Sequence, residues 1–268
     1  MTAVDTTWGV ATATGRRTGN EDAYLAVAPV FLVADGMGGH DSGEVASALV
    51  VDQFADLGGR PDVEPQDLLE RIRRSAAQIR ALPEGSGRDA GTTVAGVAIG
   101  VRDDIPYWLV FNIGDSRVYR VTDGVLEQVT VDHSEVQEQL DAGVISPRDV
   151  ARHPRRHVVT RAVGAFATTE PEFWMLPVGA HDRMLVCSDG LTGELDDVTI
   201  ARILLDRPEP QSAADGLVQA ALACGGRDNV TVVVVDVVGP QDDETVPSLV
   251  DDEVTLTPDE LQQMVRPK

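Results

Sequence analysis

Apolar residues along the chain fall into two patterns. Short unbroken runs, FLVADG (31–36), MLVCSDG (184–190) and NVTVVVVDVV (229–238), are apolar at nearly every position. That pattern belongs to strands buried on both faces. Strands are likewise expected over 6–15, 23–29, 91–101, 106–124, 125–130 and 174–179, with Asp123-Gly124 as a hairpin turn between two of them. Longer stretches repeat every three or four residues. One helix spans 42–57 with Ser42 as its N-cap and Glu44 in its first turn. A second spans 65–82, where Leu68, Leu69, Ile72, Ala76, Ile79 and Leu82 line one side. Two more helices fit 196–206 and 211–226, and 133–161 loosens into short helical pieces rich in Arg and His. Hairpin-joined strands with helices arriving in pairs predict antiparallel sheets covered by helix pairs, not a doubly wound parallel sheet.

Composition bounds this picture. The 268 residues, 43% of them hydrophobic, suffice for one main domain over 1–239. After Gly239-Pro240 the character changes, and 241–268 sets eight acids against two bases, so residues 240–268 read as an acidic, disordered tail. No uninterrupted apolar stretch reaches the roughly eighteen residues of a membrane span, and no basic segment precedes an apolar signal core. A cytoplasmic protein that meets no membrane is expected. Cys187 and Cys224 lie in apolar segments without CxxC spacing, which suits reduced core residues and argues against zinc. The formal charge of -22 argues against nucleic-acid binding, since phosphate backbones demand clustered Lys and Arg. Such acidity is either a solubility device or a collection of carboxylates for hard divalent cations.

The aspartates favour the second use. Asp22, Asp35, Asp189 and Asp228 stand where apolar strands begin or end. An ionised carboxylate near a core costs desolvation unless a cation offsets it. The turn DGMGGH (35–40) has neither the GxxxxGK[ST] of a phosphate loop nor GxGxxG, but a metal there takes both the Asp35 side chain and the Gly36 carbonyl. Two adjacent central hairpins would bring the four acids around a pair of divalent ions, which lower the pKa of a bridging water and neutralise phosphate charge.

The segments RRTGNED (16–22), LVADGMGGHDSGE (32–44), GTT (91–93), IGDSRVYR (113–120), CSDGL (187–191) and DNVT (228–231) occur in one order. Together they resemble the metal-dependent type 2C serine/threonine protein phosphatases in their compact bacterial form, over roughly residues 8–238. The resemblance implies an α+β fold, a four-layer α/β/β/α sandwich of two antiparallel β-sheets flanked by helix pairs. It also implies phosphoserine and phosphothreonine proteins as substrates, opposite a Ser/Thr kinase, in a monomer using two Mn or Mg ions.

Site roles follow from the same likeness. Asp35 matches the acid that bridges the ions, Asp189 and Asp228 match ligands of the first, and Asp22 and the Gly36 carbonyl match the second ion's side. Asp115 with Asp189 matches a third, weaker site. Glu21 matches an acid that orients metal-bound water, Asn229 sits beside the ligand Asp228, and Arg17 matches the phosphate-binding arginine. A guanidinium fork suits two phosphate oxygens. Proton donation falls to His40 or to a metal-bound water. Residues 131–164 resemble a flap beside the active site, whose Arg152, Arg155, Arg156 and Arg161 either guide an acidic phosphopeptide or are solvated and structural charges. A phosphoprotein-binding regulator without turnover is the alternative use of this pocket.

Overall fold

The computed structural model describes residues 4–38, 42–82, 90–150, 153–166 and 170–238, and the backbone of 254–256. Two sheets carry the molecule. The first orders β1 (Thr6–Ala13), β11 (Val230–Val237), β10 (Arg183–Cys187), β7 (Arg117–Thr122) and β8 (Val125–Gln128). The second orders β12 (Val254–Leu256), β9 (Glu172–Pro177), β6 (Ile105–Ile113), β5 (Val94–Arg102), β3 (Val30–Met37) and β2 (Asp22–Val27), with β4 (Gly91–Thr92) on β3. Every strand pairing among the described residues is antiparallel.

The unbroken apolar runs account for the layering. Along β3, Val30, Leu32 and Ala34 pack with Val50 and Phe54 of α1 (Ser42–Phe54) and Leu68 and Ile72 of α2 (Pro65–Arg80). Phe31 and Val33 point the other way and meet Met184 and Val186 of β10 and Val233 and Val235 of β11. β11 is used in the same manner. Its Val232 and Val234 face Leu217 and Ala221 of α7 (Pro210–Cys224) and Ile200 and Leu204 of α6 (Asp197–Asp206). Period-two geometry thus sends one strand into two cores, and the expected α/β/β/α order results.

Asp123 and Gly124 take φ of 50° and 77° between the paired Thr122 and Val125, the left-handed pair that a two-residue hairpin requires. Three expectations change. The run 106–124 is two strands in different sheets, because Gly114 (φ 112°) turns the chain out of β6 and across to β7. The strand expected over 91–101 divides at Thr93 into β4 and β5. The acids do not come from two hairpins: β2 and β3 form one, whereas β10 and β11 are neighbours joined through α5 (Asp189–Thr192), α6 and α7.

Cys187 is buried in β10, where desolvation pushes its thiol up to about 12, but Cys224 is exposed at the end of α7 and is no core residue. The expected N-cap Ser42 is the first residue of α1 and is buried. Of the expected tail, the structure describes only β12, paired with β9; the rest lies outside the described residues. α3 (Glu135–Asp141) and α4 (Pro147–Val150) are the short helical pieces expected within 133–161.

One buried acid, just before β10, ties the two sheets together. Asp182 accepts from Trp108 Nε1 (3.0 Å), Arg120 Nε (3.0 Å) and Nη2 (2.9 Å), and the Gly179 N–H (2.8 Å). Asp182→Ala removes the acceptor of Trp108 Nε1, Arg120 Nε and the Gly179 N–H, and leaves Arg120 only the Pro177 carbonyl. It should lower the unfolding free energy by about 3–5 kcal/mol, measured by urea denaturation; a loss near zero would remove Asp182 from this role.

Candidate metal and phosphate site

Five aspartates meet where the two sheets end together. Asp22 and Asp35 are directly opposed across β2 and β3. Asp189 opens α5 immediately after β10, Asp228 precedes β11, and Asp115 lies in the step between β6 and β7. Asp35, Asp115, Asp189 and Asp228 line a cavity of about 700 Å³ together with Arg17, Glu21, Gly36 and Asn229.

Their electrostatics are those of a crowded anionic site. Burial, then the charges of Asp22, Asp189, Asp115 and Asp228, push the Asp35 carboxyl well above its ordinary range. Burial and then Asp189 raise Asp115 in the same direction. The Asp22 carboxyl is raised to about 7, mainly by desolvation and despite the hydrogen bonds it accepts. Its Oδ2 accepts from Ser188 Oγ at 2.8 Å, while its Oδ1 is buried without a hydrogen-bond partner. A buried acceptor with no donor, among carboxylates that raise one another's pKa, suits a divalent cation. Among the described residues no three His, Cys, Asp or Glu side chains already form a ligand cage. The fit is therefore one of donor type and polarity.

The scaffold around these acids is built from neutral donors. Asn229 Oδ1 accepts from the Glu21 N–H, and its Nδ2 donates to the carbonyls of Thr14 and Gly19, each at 2.9 Å. The whole amide is used to fold residues 14–21 over the start of β11, and that loop carries Arg17 and Glu21. Thr12 and Thr231 share a hydroxyl hydrogen bond at 2.7 Å, Asn20 Nδ2 donates to Thr12, and Ser188 Oγ accepts from the Thr231 N–H. On the other side, Thr93 Oγ1 accepts from the Asp35 N–H at 3.0 Å and shares a hydrogen bond with Ser116 Oγ at 2.7 Å. Gly36 and Gly43 pack backbone to backbone: a Cβ on Gly36 would stand 2.2 Å from the Gly43 carbonyl oxygen. Only glycine admits that approach, which seats the start of α1 on the turn after Asp35.

Arg17 reaches Asp228 Oδ2 at 2.6 Å while its side chain is 57% exposed. It is thus placed at the cavity and open to a second anion. Glu21 is held through its main chain, whose carbonyl accepts from Gly36 N and Ser47 Oγ. Of the flap arginines, Arg155 pairs with Glu135 (2.5 Å), Arg161 pairs with Glu172 (2.8 Å), and Arg156 Nε donates to His157 Nε2 (2.8 Å). Arg155 and Arg161 therefore carry structural pairings, whatever they add to substrate guidance. His40 and Arg152 lie outside the described residues.

Sequence reasoning passed over His157, whose Nδ1 stands 3.4 Å from Asp189 Oδ2 at the cavity wall. It also passed over Ser188, Thr231, Thr93 and Thr12. Ser188 adjoins Asp189 and Thr231 follows Asn229, which was a local signal; their convergence on Asp22 was not.

Two antiparallel sheets between helix layers, with five acids gathered where the sheets end, define an α+β sandwich built around a cation-suited site. The chain belongs to the Protein phosphatase 2C family, whose model matches residues 14–224. It is 40% identical over 256 residues to the serine/threonine protein phosphatase PstP of Mycobacterium tuberculosis, covering 90% of this chain and 48% of that protein. This chain thus spans about half the length of that relative. It is 33% identical over 216 residues to the serine/threonine phosphatase stp of Listeria monocytogenes, covering 78% of this chain and 84% of that one. The crystal structure of M. tuberculosis PstP/Ppp superimposes with a TM-score of 0.79 and 37% identity, over 87% of this chain and 98% of that chain. The PstP catalytic domain in complex with two manganese ions gives 0.76 and 35%, over 87% and 98%.

The raised Asp22 pKa sets a pH dependence. A folded-state pKa of about 7 against an ordinary 3.8 means the folded chain holds this proton more tightly than the unfolded chain. Stability of the chelated protein should therefore fall as pH rises between those two values. Because a metal takes the deprotonated acids, the thermal shift on adding Mn2+ should be larger at the top of that window than at the bottom. Differential scanning fluorimetry with chelator or Mn2+ checks both; a pH-independent Mn2+ increment would count against the site.

Proposed function

We propose that this chain is a metal-dependent protein serine/threonine phosphatase, hydrolysing phosphoserine and phosphothreonine produced by an opposing kinase. The observation that carries the reading is one cavity holding both the crowded aspartates and the open guanidinium of Arg17. Carboxylates alone would suit many divalent-ion proteins. Arg17 adds a fork for a phosphate dianion, so the group to be bound and the cations to act on it share one space. Relatives named as serine/threonine phosphatases, one solved with two manganese ions, support the same reading.

Asp35 would serve both ions, Asp189 and Asp228 would hold the first, and Asp22 with the Gly36 carbonyl would serve the second. Mn2+ or Mg2+ serves, with Asp115 and Asp189 offering a third, weaker position. Bound there, the ions supply an activated water and neutralise charge on the phosphate. The chain's own part is placement. Arg17 holds two phosphate oxygens and orients phosphorus over the aspartates, Asn229 keeps the Arg17 loop in position, and Glu21 accepts a hydrogen bond from the attacking water. The departing serine or threonine oxygen needs a proton, for which His40 or a water serves. The catalytic unit is residues 1–239, and 240–268 is an appendage.

Mn2+-dependent release of p-nitrophenol from its phosphate should be abolished by Asp35→Asn and by Asp189→Asn. Arg17→Lys should raise KM more than it lowers kcat, by about tenfold, or about 1.4 kcal/mol of phosphate binding. Metal binding without phosphate release would instead favour the silent regulator. Phosphopeptides carrying Ser, Thr or Tyr then test residue preference. Deleting 241–268 should leave kcat/KM on the aryl phosphate unchanged, and a large loss would end the assignment of that segment as an appendage.

A further inference from the structure

Behind Asp115 lies a buried histidine for which the proposed chemistry has no use. His133 is 5% exposed. Its Nδ1 accepts from the Gly114 N–H at 3.1 Å, so the ring hydrogen sits on Nε2, which faces Glu172 Oε1 at 3.2 Å. Arg161 Nη1 donates to the same Glu172 oxygen at 2.8 Å. His133, then Arg161, hold the Glu172 carboxyl below its usual range, so the pair faces an ionised acid.

The main chain repeats the connection. His133 N donates to the Gly114 carbonyl at 2.9 Å, and Thr160 N donates to the His133 carbonyl at 2.8 Å. Asn112 Nδ2 supports the same Gly114 carbonyl at 3.1 Å. Both peptide groups flanking the Gly114 Cα are thus gripped by one residue, the N–H by its ring and the C=O by its backbone. The grip matters because Gly114 has φ 112° and a Cβ there would stand 2.5 Å from Thr93 Cγ2. A turn open to no other residue type is held in one orientation, and the next residue is Asp115.

The geometry points to His133 as a positioning residue: with Glu172 and Arg161 it fixes the Gly114 turn and so aims the Asp115 carboxylate at the ion position that Asp115 shares with Asp189. The inference rests on the metal-site reading above and adds to it a support outside the ligand set. His133 also ties the returning end of the flap, at Thr160 and Arg161, to the same turn, so flap base and ligand loop move as one unit. Such supports of ligating carboxylates typically change metal affinity or activity by about 10- to 100-fold when removed.

Mn2+ binding by titration calorimetry on the full chain tests this without reference to turnover. Wild type should show a weak binding event that Asp115→Asn removes, leaving the tight events in place. His133→Leu should lose the same weak event. His133→Asn, whose Oδ1 still accepts from the Gly114 N–H, should recover part of it. In hydrolysis of the aryl phosphate, His133→Leu should need about tenfold more Mn2+ for half-maximal rate, with KM for the substrate little changed. If His133→Leu does not fold, Glu172→Gln and His133→Asn carry the comparison, each with a weakened event expected. A wild-type isotherm in folded His133→Leu, or in both substitutes, overturns the proposal, as does the absence of any weak event in wild type. Wild-type Mn2+ binding without hydrolysis would overturn the phosphatase reading alone, and the isotherms would still decide the role of His133.

Discussion

The structure turns on repulsion among carboxylates that have been taken out of water. Desolvation is the largest cause of the raised pKa of Asp22, Asp35 and Asp115, and neighbouring aspartates add to it in each case. Such a cluster opposes folding unless protons or cations are shared among its members. The protein nonetheless brings it to the seam of its two sheets. That placement makes cation binding and folding parts of one equilibrium, because the same charges that weaken the chelated chain draw ions in.

The surroundings keep that charge intact. Ser188 and Thr231 hydroxyls, the Asn229 amide and backbone N–H groups hold the strand ends in register, and none of them neutralises a carboxylate. Lysine or arginine in those places would have stabilised the chelated fold and repelled the ions. Arg17 is the informative departure. It pairs with Asp228 but remains largely in solvent, so its contact can be exchanged for another anion at small cost. Elsewhere the chain pairs buried charge fully, as at Asp182 with Arg120.

Much of this was legible in the sequence because the strands are buried on both faces and announce themselves. β3 and β11 read directly as apolar runs, α2 showed its stripe, and Asp123-Gly124 its turn. The aspartates were visible for the same reason, as polar residues where an apolar run stops. What escaped detection depends on where a run goes next. Nothing local to IGDSR says that the chain leaves one sheet at Gly114 and enters the other at Arg117, since both halves are equally apolar. Thr93 interrupts its strand to serve Asp35, a contact 58 residues away in sequence. His133 and His157 sit in an irregular segment, where periodicity carries no signal. Cys224 is exposed because α7 buries only part of its apolar surface, and its last turn, Leu222 to Cys224, faces out.

The crossing from β6 to β7 takes three residues, Gly114, Asp115 and Ser116, and it joins the two sheets. Mechanically it is a rivet set at the acid-bearing end of the sandwich. Shear of one sheet over the other at this crossing falls on three residues, and the middle one is an acid of the cleft. The inter-sheet core of Phe31, Val33, Val186 and Val233 thereby acts as a spacer for the site beside it, bearing on the distance between Asp115 on the crossing and Asp189 after β10.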